Sequence, residues 1–226
     1  MEFGGFQKLT VLDYPGHVAC IVFTKGCNFL CPFCHNALLL NSENGETYKD
    51  EEILSFLKKR QKVLDGICVS GGEPLIHPEL EGFLREVKAL GYDIKLDTNG
   101  SYPERLASFV NCRLIDYVAM DVKNIPYKYA QTAGALVSME NIEKSIDFLL
   151  SSGIDYEFRT TVSKELHSPS DIEKIAERIS GAKKYFIQNF VDSGNVLRGN
   201  LTPVSEEDLN EMAERSRKFV DFVKIR

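Results

Sequence analysis

The chain has 226 residues, 43% of them hydrophobic, and a net charge of −6 at pH 7. That length suits one large α/β domain, or at most two small ones, with enough apolar side chains for a substantial core. Lys and Arg are scattered among acids, as at Lys58-Lys59-Arg60 and Lys183-Lys184, so no basic patch of the kind that binds nucleic acid is present. No apolar run approaches the ~18–20 residues that cross a bilayer, and Met1-Glu2-Phe3-Gly4 does not open a signal peptide. A cytoplasmic protein with neither membrane nor nucleic-acid partners is expected.

In chain order the pattern alternates strand and helix. Residues 18–23 read as a buried strand, and Ile53, Phe56, Leu57 and Arg60 then fall at helical spacing. Residues 67–70 form a short strand, and Leu80, Phe83, Leu84 and Val87 give the next helical stripe. Residues 93–97 are a strand and 103–110 a helix; residues 117–121 are a strand, and Ile142, Ile146 and Leu149 mark a helix. Residues 156–162 alternate as a strand does. Ser168-Pro169-Ser170-Asp171 starts a helix with a hydroxyl cap and a proline in its first turn. Residues 185–190 are a strand, 209–219 a helix and 222–225 a last strand.

About six βα units result, which predicts a parallel sheet with helices outside. Eight units and ~250 residues close a barrel; six in this length suit a partial, open barrel of the same type. A flat doubly wound sheet shows the same periodicity. A single domain is expected over 1–226, with its core at 18–190, an N-terminal extension at 1–17 and a C-terminal helix and strand at 203–226. In either architecture chemistry gathers where strands end. There lie Cys27, Gly71-Gly72-Glu73-Pro74, Asp97-Thr98-Asn99-Gly100 and Asp121-Val122-Lys123, with Arg159 in the fifth strand and Gln188 and Asn189 near the end of the sixth.

Three of six cysteines fall within eight residues, Cys27-Asn28-Phe29-Leu30-Cys31-Pro32-Phe33-Cys34. In a reducing compartment such crowding points to metal rather than disulfides. Three thiolates can hold one corner of an iron–sulfur cube and leave one iron open for a ligand. Gly26 permits a tight turn before the first of them. A structural zinc site with His35 as fourth ligand is the competing reading, although the two well-separated ligand pairs usual for zinc are absent. Cys20 and Cys68 sit in apolar strands and read as core residues. Cys112 has no metal-like neighbour, and His17, His77 and His167 read as solvent-exposed or hydrogen-bonded histidines.

The CxxxCxxC loop, with Phe33 as its aromatic residue, resembles the signature of the radical S-adenosylmethionine (SAM) superfamily, and Ser70-Gly71-Gly72-Glu73-Pro74 resembles the GGE motif of the same group. The resemblance implies a [4Fe–4S] cluster on Cys27, Cys31 and Cys34, with SAM chelating the open iron. Phe33 and the backbone around Cys34 and His35 would lie along adenine. Gly71 and Gly72 would admit the methionyl group, and Glu73 would help fix its amino group. No side chain is implied as an acid or base, because cluster and SAM carry the chemistry.

A narrower resemblance is to the glycyl-radical-enzyme activases, nearest the longer form of the anaerobic ribonucleoside-triphosphate reductase activating protein. It rests on Phe6-Gln7-Lys8-Leu9-Thr10, Leu12-Asp13-Tyr14-Pro15-Gly16, Phe23-Thr24-Lys25-Gly26-Cys27-Asn28, Leu96-Asp97-Thr98-Asn99-Gly100 and Met120-Asp121-Val122-Lys123. It implies that Asp97, Thr98, Asn99, Asp121, Lys123 and Arg159 lie near the SAM carboxylate and a monovalent cation. The implied partners are a glycyl radical enzyme and a flavodoxin or ferredoxin as reductant. One departure stands out: where some activases place a His after the sixth strand, this chain has Gln188-Asn189-Phe190-Val191, and Gln188 or Asn189 would have to donate instead. A radical SAM enzyme with a small-molecule substrate, such as a 7-deazaguanine-forming synthase, and a non-catalytic metal-binding or electron-transfer module are the competing readings.

Overall fold

The computed structural model describes residues 1–40, 46–192, 194, 196–197 and 200–226. Its elements run β1 (Glu2–Thr10), β2 (Ala19–Thr24), β3 (Tyr48–Lys49), α1 (Asp50–Arg60), β4 (Gly66–Gly71), α2 (Leu80–Ala89), β5 (Asp93–Thr98) and α3 (Pro103–Asn111). They continue with β6 (Tyr117–Asp121), α4 (Pro126–Ala133), α5 (Met139–Ser152), β7 (Asp155–Val162), α6 (Pro169–Arg178), β8 (Lys184–Asn189), α7 (Glu206–Ser216) and β9 (Phe222–Ile225). The strand order is β3-β1-β2-β4-β5-β6-β7-β8-β9. The sheet is mostly parallel and does not close, as the βα alternation predicts.

The chain divides into two compact units. The first comprises 1–28, 38–98 and 104–118. In it β2, β4 and β5 pair in parallel, with Ala19 opposite Gly66 and Ile67 opposite Ile94. Ile67, Cys68 and Val69 are fully buried, as a parallel strand covered on both faces requires. α2 turns Leu80, Phe83, Leu84 and Val87 inward, the stripe its spacing predicts. The second unit comprises 29–37, 99–103 and 119–226. In it β7, β8 and β9 are parallel. α5 ends where Gly153 takes a left-handed φ of 76°, the helix stop that glycine permits most cheaply. α6 begins at a capping box in which Ser168 and Asp171 each bond the other's backbone N–H.

Three elements go beyond the expected pattern. β1 pairs antiparallel with β2 and carries β3 at the edge; its Gly4-Gly5 pair and register shifts blur the alternation that marks a strand. α4 inserts a helix between β6 and α5. It is only eight residues long and buries Tyr129, Thr132 and Ala133, too few for a legible stripe.

Candidate functional site

In the first unit the end of β2 and the end of β4 are stitched together by backbone. Gly72 N donates to Thr24 O at 3.0 Å, Glu73 N donates to Gly26 O at 3.0 Å, and Gly26 N donates to Leu39 O at 2.8 Å. Gly71 and Gly72 make this approach possible. A Cβ on Gly72 would lie 1.7 Å from Gly26 O, and one on Gly71, whose φ is +116°, would lie 2.3 Å from Thr24 N. The space that the missing Cβ atoms leave is therefore filled by the backbone leading into Cys27.

Glu73 is fully buried. Its carboxylate accepts from Leu75 N at 3.1 Å and from Thr98 Oγ1 at 2.8 Å, so it caps the short 3-10 turn Pro74–Ile76 and ties β4 to the end of β5. His77 bonds Lys25 O at 2.7 Å, and Arg105 donates to the carbonyls of Leu75 and His77. Each anchors that turn. Cys27 is half-buried. Asp97 accepts from Ser70 Oγ at 3.0 Å and pairs with Lys95, whose Nζ lies 3.8 Å from Cys68 Sγ. Lys95 is 2% exposed, and nothing in the sequence pattern distinguishes it from an ordinary strand residue.

In the second unit Cys31 and Cys34 bracket a tight turn in which Cys34 N donates to Cys31 O at 3.0 Å. Leu30 N donates to Ala133 O at 2.8 Å. Gly134, at φ +66°, brings α4 so close that a Cβ would sit 2.1 Å from Leu30 O. Burial, the largest effect, raises the thiol pKa of Cys31; nearby Lys123 opposes it. Burial likewise raises Cys34.

Phe33 is buried, with Lys123 Nζ 5.8 Å from its ring centroid and the His167 ring at 6.5 Å. His35 is exposed and stacks at 6.1 Å on Phe190. Asp121 accepts from Arg159 at 2.9 Å and from Lys123 at 3.1 Å. Burial, the largest single effect, acts to lower the Lys123 pKa, but Asp121 and Cys31 together hold it above its ordinary value. Asn99 is buried and accepts from Ser101 N at 3.0 Å. Gln188 is half-buried in β8, opposite Thr161. Asn189 spends its side chain on Val204, donating to its O at 3.0 Å and accepting from its N at 2.9 Å.

The bland readings also find their places. Cys20 and Cys68 are fully buried in strands, and burial pushes the Cys20 thiol up to about 12. His167 is buried; its Nε2 bonds Lys123 O at 2.8 Å and its Nδ1 accepts from Ser163 N at 3.3 Å. It serves the loop after β6.

No disulfide joins any of the six cysteines. Among the described residues no three His, Cys, Asp or Glu side chains are gathered to hold one metal ion. A cubane asks something different, because each cysteine binds its own iron. Three thiols on one short segment suit that demand.

The Radical SAM superfamily pattern matches residues 21–179. A protein of Methanocaldococcus jannaschii, provisionally assigned as a glycyl-radical enzyme activating enzyme, is 34% identical over 98% of this chain and 94% of its own length. The pyruvate formate-lyase-activating enzyme of Clostridium pasteurianum is 31% identical over 53% of this chain, and the match spans 51% of that enzyme. A radical SAM methyltransferase from Sphaerobacter thermophilus has the same fold, at a TM-score of 0.73 and 14% identity over 94% of this chain and 67% of that one.

Proposed function

Because the chain belongs to the Radical SAM superfamily, an enzyme family that works with a [4Fe–4S] cluster and SAM, we propose that it activates a glycyl radical enzyme. The observation that carries this reading is the likeness, along nearly the whole chain, to the Methanocaldococcus jannaschii protein. We take residues 1–226 to act as one catalytic domain in the cytoplasm. Cys27, Cys31 and Cys34 hold the cluster. When bound and reduced by a flavodoxin or ferredoxin, cluster and SAM together supply a 5′-deoxyadenosyl radical that removes a Cα hydrogen from a glycine of the partner.

The chain's own residues bind, orient and shield. Phe33, with the backbone of Cys34 and His35, borders the adenine side. Thr98, held by Glu73, and Asn99 line the end of β5. Lys123 and Arg159 supply positive charge for the SAM carboxylate, with Asp121 setting their geometry. The resemblance gives Asp97 and Asp121 to a monovalent cation. We favour ion-pair roles for both, since each already meets a cationic side chain. Of the two residues that could replace a SAM-reaching His, Gln188 is the better candidate, because Val204 occupies the Asn189 amide. The partner we favour is an anaerobic ribonucleoside-triphosphate reductase, on the strength of the N-terminal and strand-end segments.

The test mixes reduced protein, SAM and the candidate reductase without oxygen and records an EPR spectrum. A doublet that collapses when the reductase glycine carries deuterium at Cα supports the reading. Turnover of a small molecule, with no radical on any glycyl radical enzyme, overturns it.

A further inference from the structure

Lys95 stands in the middle of β5 and is 2% exposed, so its ammonium lies inside the first unit. Taking a charge out of water is costly, and a buried ammonium persists only where the groups around it compensate. The parallel register sets Lys95 opposite Cys68 of β4, and Asp97 follows two residues later on the same face of the strand. The Lys95 Nζ pairs with Asp97 Oδ1 and lies 3.8 Å from Cys68 Sγ. Asp97 Oδ2 accepts from Ser70 Oγ at 3.0 Å. Both carboxylate oxygens are therefore engaged, one of them by a full positive charge.

The resemblance drawn from the sequence gives Asp97 and Asp121 to a monovalent cation. The residues present do not fit that ion. Asp121 already meets Arg159 and Lys123. At Asp97 the ammonium neutralises the carboxylate, and a second cation on the same group would lie a few ångströms from the first. With the Asp97 side chain only 15% exposed, little water is at hand to screen that repulsion. An ammonium group and a potassium ion are nearly equal in size, and Lys carries its ammonium as a compact point charge on a flexible stem. The chain thus supplies covalently the charge that an ion would bring.

We propose that Lys95 is a positioning residue that takes the place of a monovalent cation on Asp97, fixing that carboxylate at the end of β5 so that SAM binds without added potassium or sodium. The SAM part rests on the reading under Proposed function. A pair that merely filled the core would leave no dependence on potassium behind when broken. A pair that replaces an ion would.

The experiment compares full-length protein in potassium chloride and in tetramethylammonium chloride of equal ionic strength, at mildly alkaline pH. SAM affinity is measured on anaerobically reconstituted protein, and melting temperature on the cluster-free chain. Wild type should behave alike in both salts. Lys95→Met keeps the stem as far as its terminal carbon and vacates only the space of the ammonium. It should bind SAM about tenfold more tightly in potassium than in tetramethylammonium, a coupling of the size usual between two ligands, and potassium should raise its melting temperature. Adding Asp97→Asn to Lys95→Met should abolish both effects. If Lys95→Met takes up no cluster, the melting comparison decides by itself. Wild type that needs potassium, Lys95→Met as indifferent to potassium as wild type, or a potassium effect that survives Asp97→Asn overturns the proposal. Wild type that binds no SAM in either salt overturns the SAM reading instead, and the melting comparison still judges Lys95.

Discussion

Gly72→Ala separates two accounts of the GGE segment. If the glycines exist to admit the methionyl group, alanine at 72 should weaken SAM and spare the cluster. The backbone geometry predicts otherwise. The added Cβ would meet Gly26 O at 1.7 Å and Gly26 C at 2.6 Å. Nonbonded atoms stop repelling near ~3.5 Å, so the peptide before Cys27 must retreat by roughly 2 Å. That retreat breaks the Glu73 N–Gly26 O bond and moves the first ligand. Overpacking of this kind costs ~1–3 kcal/mol, and the lost bond about 1 kcal/mol more. Urea denaturation of cluster-free protein should show a loss of roughly 2–4 kcal/mol. Anaerobic reconstitution should yield well under the four irons per chain that one cubane holds. Gly82→Ala is the control: it lies in α2 with nothing within 4 Å of the added Cβ, and should gain roughly 0.5–1 kcal/mol. Full iron loading and unchanged stability in Gly72→Ala would refute the reasoning and return the glycines to SAM.

Single serine replacements of Cys27, Cys31 or Cys34 should abolish the cluster, whereas alanine at Cys20, Cys68 or Cys112 should keep it; iron content and visible absorption decide. Burial, the largest effect, holds the His167 pKa below the ordinary imidazole value. As pH falls below about 6.5 the unfolded chain takes up the proton first. The contribution of His167 to stability is therefore constant above that pH and declines below it, and cluster-free His167→Gln should decline less between pH 7.5 and 5.5 in urea titrations. Asp121→Asn removes a carboxylate shared by Arg159 and Lys123, whose side chains are 13% and 12% exposed. It should cost roughly 1–3 kcal/mol, below the 3–5 of a wholly buried pair because Asp121 keeps some access to solvent.

Much of this was legible in the sequence because it rests on local signals. The apolar stripe Leu80, Phe83, Leu84 and Val87 is the buried face of α2, and Ser168-Pro169-Ser170-Asp171 is the start of α6. What escaped depends on contacts far apart in sequence. Lys95 looks like a solvated strand residue until Asp97, Ser70 and Cys68 are seen around it. Tyr129 looks like one more aromatic in a polar stretch until α4 forms and buries it. His167 matches its bland reading, since both ring nitrogens serve backbone groups.

Motif residues that a resemblance assigns to a ligand can owe their identity to the scaffold, and this chain shows how to tell the two apart. A scaffold residue has its hydrogen-bonding capacity matched by the protein itself. Glu73 caps Leu75 and holds Thr98; Asn189 closes on Val204 through both amide atoms. A ligand-facing residue instead carries charge or a polar atom beyond what its protein neighbours use. Lys123 has two further donor hydrogens after Asp121 takes one, and it lies over Phe33 beside Cys31. By this criterion the conspicuous Gly71-Gly72-Glu73 segment mainly holds the end of β4 against the backbone that leads into Cys27.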